Sequence, residues 1–349
     1  MSQRMLIDAR HPEETRVAVV NGNRIEEFDF EAADRKQLKG NIYLARVTRV
    51  EPSLQAAFVE YGGNRHGFLA FSEIHPDYYQ IPREDREALL REEQALAHDD
   101  SHDDAEATGE ETGEDGEEIA ESGGHGDDTD ALRRKRQALR RRYKIQEVIQ
   151  RRQVLLIQVV KEERGNKGAA LTTYLSLAGR YCVLMPNTAH GGGISRKISN
   201  LSDRKRLKQV MADLKLPNGM GAIVRTAGLK RSKTEIKRDF DYLTRLWDEI
   251  RETTLASSAP CLVHQDSDLI KRAIRDVYGK DIEQVLVEGE AGFEAAHNFM
   301  KMLMPTHAAK VVQYTDPVPL FQRFGVEGQL EAMYQPVVQL RSGGYIVIN

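Results

Sequence analysis

Cysteine is scarce in this sequence, and long apolar runs are missing from it. Only two of the 349 residues are cysteines, Cys182 and Cys261, and they lie in unrelated apolar segments. This spacing excludes a disulfide framework and a zinc site built on cysteine pairs. No apolar run approaches the roughly 20 residues of a membrane-spanning helix, and the first residues lack the apolar core of a secretory signal. Together these absences predict a cytoplasmic protein.

Positive charge is absent from one long segment. Residues 92–130 contain 17 acidic residues and no lysine or arginine, so the rest of the chain carries +13 although the net charge of the whole chain is −4. Such a composition cannot bury enough apolar surface to fold, and we predict a disordered acidic insertion over residues 92–131. The basic remainder predicts a polyanionic partner.

Patterns that carry cleavage or nucleotide chemistry are also missing. The glycine-rich basic loop at residues 191–199 lacks the GxxxxGK[ST] pattern of a nucleotide-binding loop. His190 and His264 are isolated, which favours structural roles. The carboxylates do not show the spacing of a metal pair. These residues therefore give no indication of cleavage chemistry.

Short β-strands organise the first half of the chain. Residues 1–30 predict a three-stranded meander, which is too small to be stable alone and is expected to pair with later strands. Its alternation places either Phe28 or Phe30 inward. Three further strands within residues 36–91, joined by a returning strand at residues 153–161, predict a small antiparallel barrel around the acidic insertion.

Helices dominate the second half. A capping box starting at Ser232 begins a helix predicted over residues 232–255, and its apolar stripe indicates core packing rather than a cofactor site. A shorter helix is predicted over residues 202–214. The helix–strand–helix alternation of residues 268–304 offers a surface for the N-terminal meander.

Two phenylalanines lie on neighbouring strands of the predicted barrel. Phe58 and Phe68 could share one face, and Lys167 follows from a later strand. Aromatic side chains beside a cation on a barrel surface form a platform for single-stranded nucleic acid, because every base has a face that stacks. Small barrels also need aromatic residues in their cores, so both interpretations are open at this point.

A second group of polar residues lies in the segment IVRTAGLKRSK, residues 223–233. Arg225 and Thr226 follow an apolar strand, and Gly228 opens a loop. A guanidinium fork, a hydroxyl and backbone amides suit a terminal phosphate. A solvated basic loop is the simpler interpretation of the spacing, because so short a match is only a hypothesis.

Five motifs follow one another in order: EPSLQAAFVEYGGNRHGFLAFSEI, KEERGNKGAALTTYLSLAGRYCVLMPN, GGGISRKI, GMGAIVRTAG and LRSGGYIVI. In this order they resemble the ribonuclease E/G family of bacterial endoribonucleases, from about Met5 to Asn349. The acidic insertion followed by a basic run is more similar to ribonuclease E than to ribonuclease G. The segment EIHPDYYQIP resembles alphaproteobacterial ribonuclease E.

The resemblance implies an α+β, multidomain fold. In it, an RNase H-like subdomain without an active site is split by an inserted OB-fold barrel and a sensor domain. The implied ranges are 1–33 and 271–333 for the RNase H-like subdomain, 34–173 for the RNA-binding barrel, 174–270 for the 5′-monophosphate sensor, and 334–349 for the beginning of a DNase I-like catalytic domain.

Site residues follow from the same resemblance. The positions that grip RNA on the barrel match Phe58, Phe68 and Lys167. The positions that sense the 5′ phosphate match Arg225 and Thr226, and the positions that complete the same pocket, partly through the backbone, match Gly179 and Val183.

The family's catalytic aspartates hold Mg²⁺, and its cysteines share Zn²⁺ between protomers of a homotetramer. Both ligand sets are expected beyond Asn349, so this chain is expected to be a truncated portion that does not cleave RNA alone. For the full-length protein the resemblance implies RNA degradosome partners bound through a C-terminal tail, and it allows peripheral contact with the inner membrane.

The function expected first is that of the N-terminal part of an endoribonuclease. Such an enzyme senses the 5′ monophosphate of single-stranded RNA and hydrolyses AU-rich regions during RNA processing and mRNA decay. The alternative is a non-catalytic module that binds RNA and senses its 5′ end. A scaffold role rests only on the acidic insertion, and a solvated loop explains that segment more simply.

Overall fold

The computed structural model describes residues 2–91, 143–162, 168–188, 193–217, 219–266, 268–340 and 342–348. Two compact units make up the chain, one formed by Met1–Gln37 with Ser267–Asn349 and the other by Leu38–Asp266. The predicted acidic insertion at residues 92–131 and the predicted site residue Lys167 lie outside the described residues. Strands and helices are numbered below in chain order.

A five-stranded sheet forms the centre of the first unit. Its strands are β1 (Gln3–His11), β2 (Glu14–Asn21), β3 (Arg24–Ala32), β14 (Ile282–Glu288) and β15 (Val311–Tyr314). They lie in the order β15-β14-β1-β2-β3, and β1 pairs with β14 in parallel. The predicted pairing of the N-terminal meander with a later strand is therefore confirmed. Of the two predicted alternatives in β3, Phe28 packs on the core, whereas Phe30, two residues further along the same face of the strand, is 58% exposed.

Helices pack on this sheet because each has one apolar side. They are α5 (Leu269–Asp276), α6 (Glu290–Leu303), α7 (Leu320–Arg323) and α8 (Val326–Met333). The buried residues of one cluster are Leu6, Ala18, Val20, Leu320, Phe321 and Val326. A hairpin of β16 (Val337–Gln339) and β17 (Tyr345–Val347) follows, with exposed apolar side chains.

A closed five-stranded barrel occupies the first part of the second unit. Its strands are β4 (Ile42–Glu51), β5 (Ala56–Gly62), β6 (Arg65–Ala70), β7 (Val154–Lys161) and β8 (Ala169–Thr172). They follow the order β4-β5-β6-β8-β7, and β7 pairs again with β4 to close the ring. This closure is consistent with an OB-like fold. The predicted barrel is confirmed, except that β6 and β8 run parallel.

The rest of the barrel unit contains short helices and one added strand. Residues 83–91 form α1, and Ile145–Val148 form α2. Strand β13 (Cys261–His264) pairs with the beginning of β4. Alternate barrel residues point inward and form a core that includes Ala45, Val47, Ala57, Val59, Leu69, Leu155 and Ile157.

A smaller sheet with two helices completes the second unit. Its strands are β9 (Leu177–Ala178), β10 (Cys182–Met185), β11 (Gly193–Ile194) and β12 (Gly221–Val224), in the order β11-β12-β10-β9. The helices are α3 (Leu201–Asp213) and α4 (Lys233–Ala256). Both halves of the predicted capping box are present at Ser232 and Glu235. The apolar stripe of α4 lies in the core, as predicted.

The chain thus has the predicted mixed α and β character with a closed barrel. The assignment of its parts to RNase H-like, sensor and DNase I-like domains stays a prediction. Among the described helices, none combines the length and the apolar character that crossing a membrane requires.

Candidate nucleic-acid interface

Phe58 and Phe68 lie directly opposite each other on β5 and β6. Their ring centroids are 6.1 Å apart and the ring planes meet at 74°, an edge-to-face arrangement. Both side chains are half-buried, whereas the residues beside them in the strands, Ala57, Val59 and Leu69, are buried in the barrel core. Because successive strand residues point to opposite faces, the two rings are on the outer face. The alternative that both are core residues is therefore wrong.

Arg49 on β4 extends this aromatic pair, and the sequence did not indicate it. Its guanidinium carbon lies 4.8 Å from the centroid of the Phe58 ring, with 64% of the side chain exposed. A register shift between Val47 and Arg49 places Arg49 opposite Phe58. Regular pairing would have placed Thr48 there; instead, the Thr48 hydroxyl donates a hydrogen bond to the Phe58 carbonyl at 3.0 Å. The bulge thus brings a cation onto the aromatic surface.

The same register continues across the remaining strands of the barrel. Phe68 pairs with Ala170 on β8, and Ala170 pairs with the exposed Lys161 at the end of β7. We call this line of five outward-facing residues the barrel row: Arg49, Phe58, Phe68, Ala170 and Lys161. A cation stands at each end of the row, and two aromatic rings lie between them. The position of Lys167 beside the row remains a prediction.

Arg225 follows the last residue of β12, and both its backbone and its side chain form hydrogen bonds with one turn. Its N–H donates to the Tyr181 carbonyl at 2.8 Å, and its Nη1 donates to the Gly179 carbonyl at 2.6 Å. Thr226 begins a short 3-10 turn, Thr226–Gly228, and is exposed to solvent. The structure therefore brings Gly179, Arg225 and Thr226 together. We call these three residues, with the backbone of residues 179–182, the phosphate pocket.

Val183, the fourth predicted pocket residue, is a core residue of β10. Its side chain is 2% exposed, and it pairs with Ala178 on one side and Ile223 on the other. Its neighbour Cys182 is also buried, and burial raises the pKa of the Cys182 thiol far above its usual range. A protonated thiol is a poor nucleophile. Neither side chain therefore presents a reactive group to a ligand, and a role of the Val183 backbone in the pocket stays a prediction.

Guanidinium groups collect around the ring of Tyr181. The guanidinium carbons of Arg180 and Arg231 lie 5.5 and 5.2 Å from the ring centroid. The loop that carries Arg231 is itself held by Arg206 of α3, which donates hydrogen bonds to the carbonyls of Leu229 and Arg231. With Arg225, these side chains place several guanidinium groups around the pocket, of which Arg231 is also paired with Glu235 at 3.5 Å.

Metal ligands do not come together in the part of the chain that the structure describes. No group of three His, Cys, Asp or Glu side chains there could hold an ion. Two carboxylates of the first unit, Asp8 and Glu288, are neighbours in register, but Arg16 and Arg10 bind them. Burial pulls the pKa of Asp8 up, and the hydrogen bonds from Arg16 and Arg10 outweigh it and hold that pKa below its ordinary value. The described residues therefore fit neither the expected Mg²⁺ nor the expected Zn²⁺.

Comparison with known proteins identifies the family. The profile described as "Ribonuclease E/G family" matches residues 176–349. "Putative ribonuclease E" of Buchnera aphidicola subsp. Baizongia pistaciae is 33% identical over 348 residues, which are 99% of this chain and 72% of that protein. The chain belongs to the Ribonuclease E/G family.

Other members of the Ribonuclease E/G family differ in how much of their length is matched. "Ribonuclease E" of Haemophilus influenzae is 39% identical over 99% of this chain, and the match covers 31% of that protein. "Ribonuclease G" of Escherichia coli K12 is 31% identical over the whole of this chain and 60% of that protein. The chain therefore spans about a third of the length of the ribonuclease E relative.

Proposed function

We propose that this chain is the RNA-holding part of a ribonuclease E-type endoribonuclease. It binds single-stranded RNA on the barrel row and senses a 5′ monophosphate in the phosphate pocket. The observation that carries the proposal is the outward-facing pair Phe58 and Phe68 with a guanidinium stacked beside it. Membership of the Ribonuclease E/G family supports it.

On the barrel row, bases stack on aromatic faces and phosphates meet the cations. Base–aromatic stacking contributes about 1–3 kcal/mol per base and tolerates any sequence. Arg49 covers the Phe58 ring, but an exposed cation–π contact is worth only about 0.5–1 kcal/mol. An incoming base can therefore displace the guanidinium toward a backbone phosphate or stack on its plane.

In the phosphate pocket, recognition depends on Arg225 and Thr226. The bond from Arg225 to the Gly179 carbonyl orients the guanidinium before RNA arrives, so little side-chain entropy is lost on binding. A charge-assisted hydrogen bond to a phosphate oxygen contributes about 1.5–3 kcal/mol. The exposed Thr226 hydroxyl is a further donor. A 5′-hydroxyl end offers neither the charge nor the oxygens.

Cleavage belongs to the proposal for the whole protein. Hydrolysis of AU-rich RNA with Mg²⁺, a Zn²⁺-linked homotetramer and degradosome partners rest on the resemblance alone, and a cytoplasmic location rests on the composition of the sequence. No group of three His, Cys, Asp or Glu side chains among the described residues could hold a metal ion, and we place no catalytic step on them. What these residues do is bind the RNA strand and orient its 5′ end.

Binding of one short AU-rich RNA with either a 5′ monophosphate or a 5′ hydroxyl tests the proposal. Fluorescence anisotropy of 3′-labelled RNA with the 349-residue chain measures both dissociation constants. We expect the monophosphate to bind about tenfold more tightly, since about 1.5 kcal/mol corresponds to tenfold. Arg225→Ala abolishes this preference. Arg251→Ala is the matched control, because Arg251 is exposed near the far end of α4. Equal affinity of the wild type for both RNAs would contradict 5′-end sensing.

A further inference from the structure

Asp239 is a fully buried carboxylate beside the phosphate pocket. It belongs to α4 and is 1% exposed. Its Oδ1 accepts a hydrogen bond from the Arg180 N–H at 3.0 Å. Its Oδ2 accepts two more, from the N–H groups of Tyr181 at 2.7 Å and Cys182 at 2.8 Å. One helix side chain thus fixes three consecutive peptide groups.

Asp239 approaches so closely that residue 179 has to be glycine. A Cβ atom on Gly179 would lie 2.5 Å from Oδ2 and 2.9 Å from Cγ of Asp239, well inside normal contact. Gly179 also closes the turn, because its N–H donates to the Cys182 carbonyl at 2.8 Å. The position of Asp239 and the conformation of the turn of residues 179–182 therefore depend on each other.

The same turn holds Arg225 in place. The carbonyl of Gly179 accepts the Nη1 hydrogen bond of Arg225, and the carbonyl of Tyr181 accepts its backbone hydrogen bond. Asp239 binds the N–H groups of the turn, whereas Arg225 binds its carbonyls. A displacement of Asp239 therefore changes the position of both carbonyls that orient Arg225.

Burying a carboxylate is costly, and an apolar side chain would fill the same volume more cheaply. Burial raises the pKa of Asp239, while the three backbone hydrogen bonds and the charge of Arg225 act in the opposite direction. A packing role alone does not account for a group that carries this cost. Its role in orienting the backbone of residues 179–182 does account for this cost.

We propose that Asp239 is the positioning residue of the phosphate pocket. It fixes the turn of residues 179–182, and that turn holds the Arg225 guanidinium where a terminal phosphate of RNA binds. The inference rests on the proposed 5′-monophosphate sensing and deepens it. Asp239 does not touch the RNA; it acts through Gly179 and Arg225.

The test is the ratio of the dissociation constants for 5′-hydroxyl and 5′-monophosphate RNA. Asp239→Asn places an amide group, a hydrogen-bond donor, against backbone N–H groups. We expect the ratio to fall from about ten to about one, while the affinity for 5′-hydroxyl RNA stays at the wild-type value. Asp241→Asn is the matched control, since Asp241 lies on the same helix, half-exposed and paired with Lys237. It keeps the wild-type ratio.

A double-mutant cycle separates positioning from a general structural effect. Because Arg225→Ala alone is expected to lower the ratio to about one, adding Asp239→Asn should leave the ratio at the value of Arg225→Ala if Asp239 acts only through Arg225. Gly179→Ala provides a second variant that keeps the carboxylate but pushes it from the turn, and it is expected to lower the ratio as well. Retention of 5′-hydroxyl binding shows that each variant is folded.

The outcomes distinguish this inference from the proposed function. A wild-type ratio of about one overturns 5′-end sensing itself. A normal wild-type ratio that is lost in Arg225→Ala but retained in folded Asp239→Asn overturns the positioning role alone. A ratio in the double variant that differs from that of Arg225→Ala also overturns it, because Asp239 would then act independently of Arg225.

Discussion

The barrel row and the phosphate pocket lie in the same unit but are built in opposite ways. The row presents side chains on the outer face of neighbouring strands, and each is half-buried or exposed. The pocket is set by a backbone turn whose N–H groups donate to the buried Asp239 and whose carbonyls accept hydrogen bonds from the half-buried Arg225. Removing one ring from the row leaves its neighbours where they are. Removing one group from the pocket moves the others, so we expect additive effects in the row and coupled effects in the pocket.

The largest effect is expected from removing both rings of the row. Phe58→Ala with Phe68→Ala should weaken RNA binding by about 2–6 kcal/mol, at least 30-fold, because each stacked base contributes about 1–3 kcal/mol. The loss should be the same for both 5′ ends, and it should lie near the sum of the single losses, within the roughly 0.5–1.5 kcal/mol that an edge-to-face ring pair contributes. Filter binding or anisotropy measures it. Phe30→Ala removes an exposed ring from the other unit and serves as the control. A strongly non-additive double variant would remove the contrast between row and pocket.

A smaller effect, on stability rather than affinity, is expected from Gly179→Ala. The added methyl group would lie 2.5 Å from a carboxylate oxygen, and overpacking of this kind costs about 1–3 kcal/mol of the free energy of unfolding. Urea unfolding followed by the fluorescence of Trp247 measures it, since this single tryptophan packs on the core of the same unit.

Gly193→Ala is the matched control for that stability measurement. Gly193 lies in the same sheet, and the nearest atom to its added Cβ would be 3.8 Å away, an ordinary contact. We expect its unfolding midpoint to remain near that of the wild type. Equal destabilisation by the two substitutions would mean that the close approach of Asp239 is not what requires glycine at position 179.

Local patterns of the sequence predicted much of the fold. The strands of the meander and the barrel follow from alternation and turn residues, and α4 follows from its capping box and stripe. Long-range closure of the barrel followed from the number and spacing of short strands. Whether Phe58 and Phe68 lie on the inner or the outer face of the barrel could not be predicted. Strand alternation gives two faces, and only tertiary packing decides which face is buried.

Arg49 and Asp239 were both missed in the sequence, for different physical reasons. Arg49 faces Phe58 only because a bulge shifts the register at Thr48, and no local sequence pattern in this strand predicts a bulge. Asp239 did leave a signal. It falls between Ile236 and Phe240 on the buried side of α4, where a carboxylate is rare unless it is paired. A charged residue inside an apolar helical stripe is therefore worth treating as a candidate positioning group.

The smallest effect is expected from Arg49. Substitutions at this one position separate the contribution of charge from that of stacking, and so test whether the barrel row acts independently of the phosphate pocket. Arg49→Ala should weaken RNA binding by about 0.5–1 kcal/mol and, if the guanidinium reaches a phosphate, reduce the slope of log affinity against log salt by about 0.7. Arg49→Lys keeps the charge but loses the planar group, so it should restore the salt slope without restoring all the affinity. Neither variant should change the ratio between 5′ ends. A changed ratio would mean that the row and the pocket are coupled, and the distinction between additive and coupled recognition would fail.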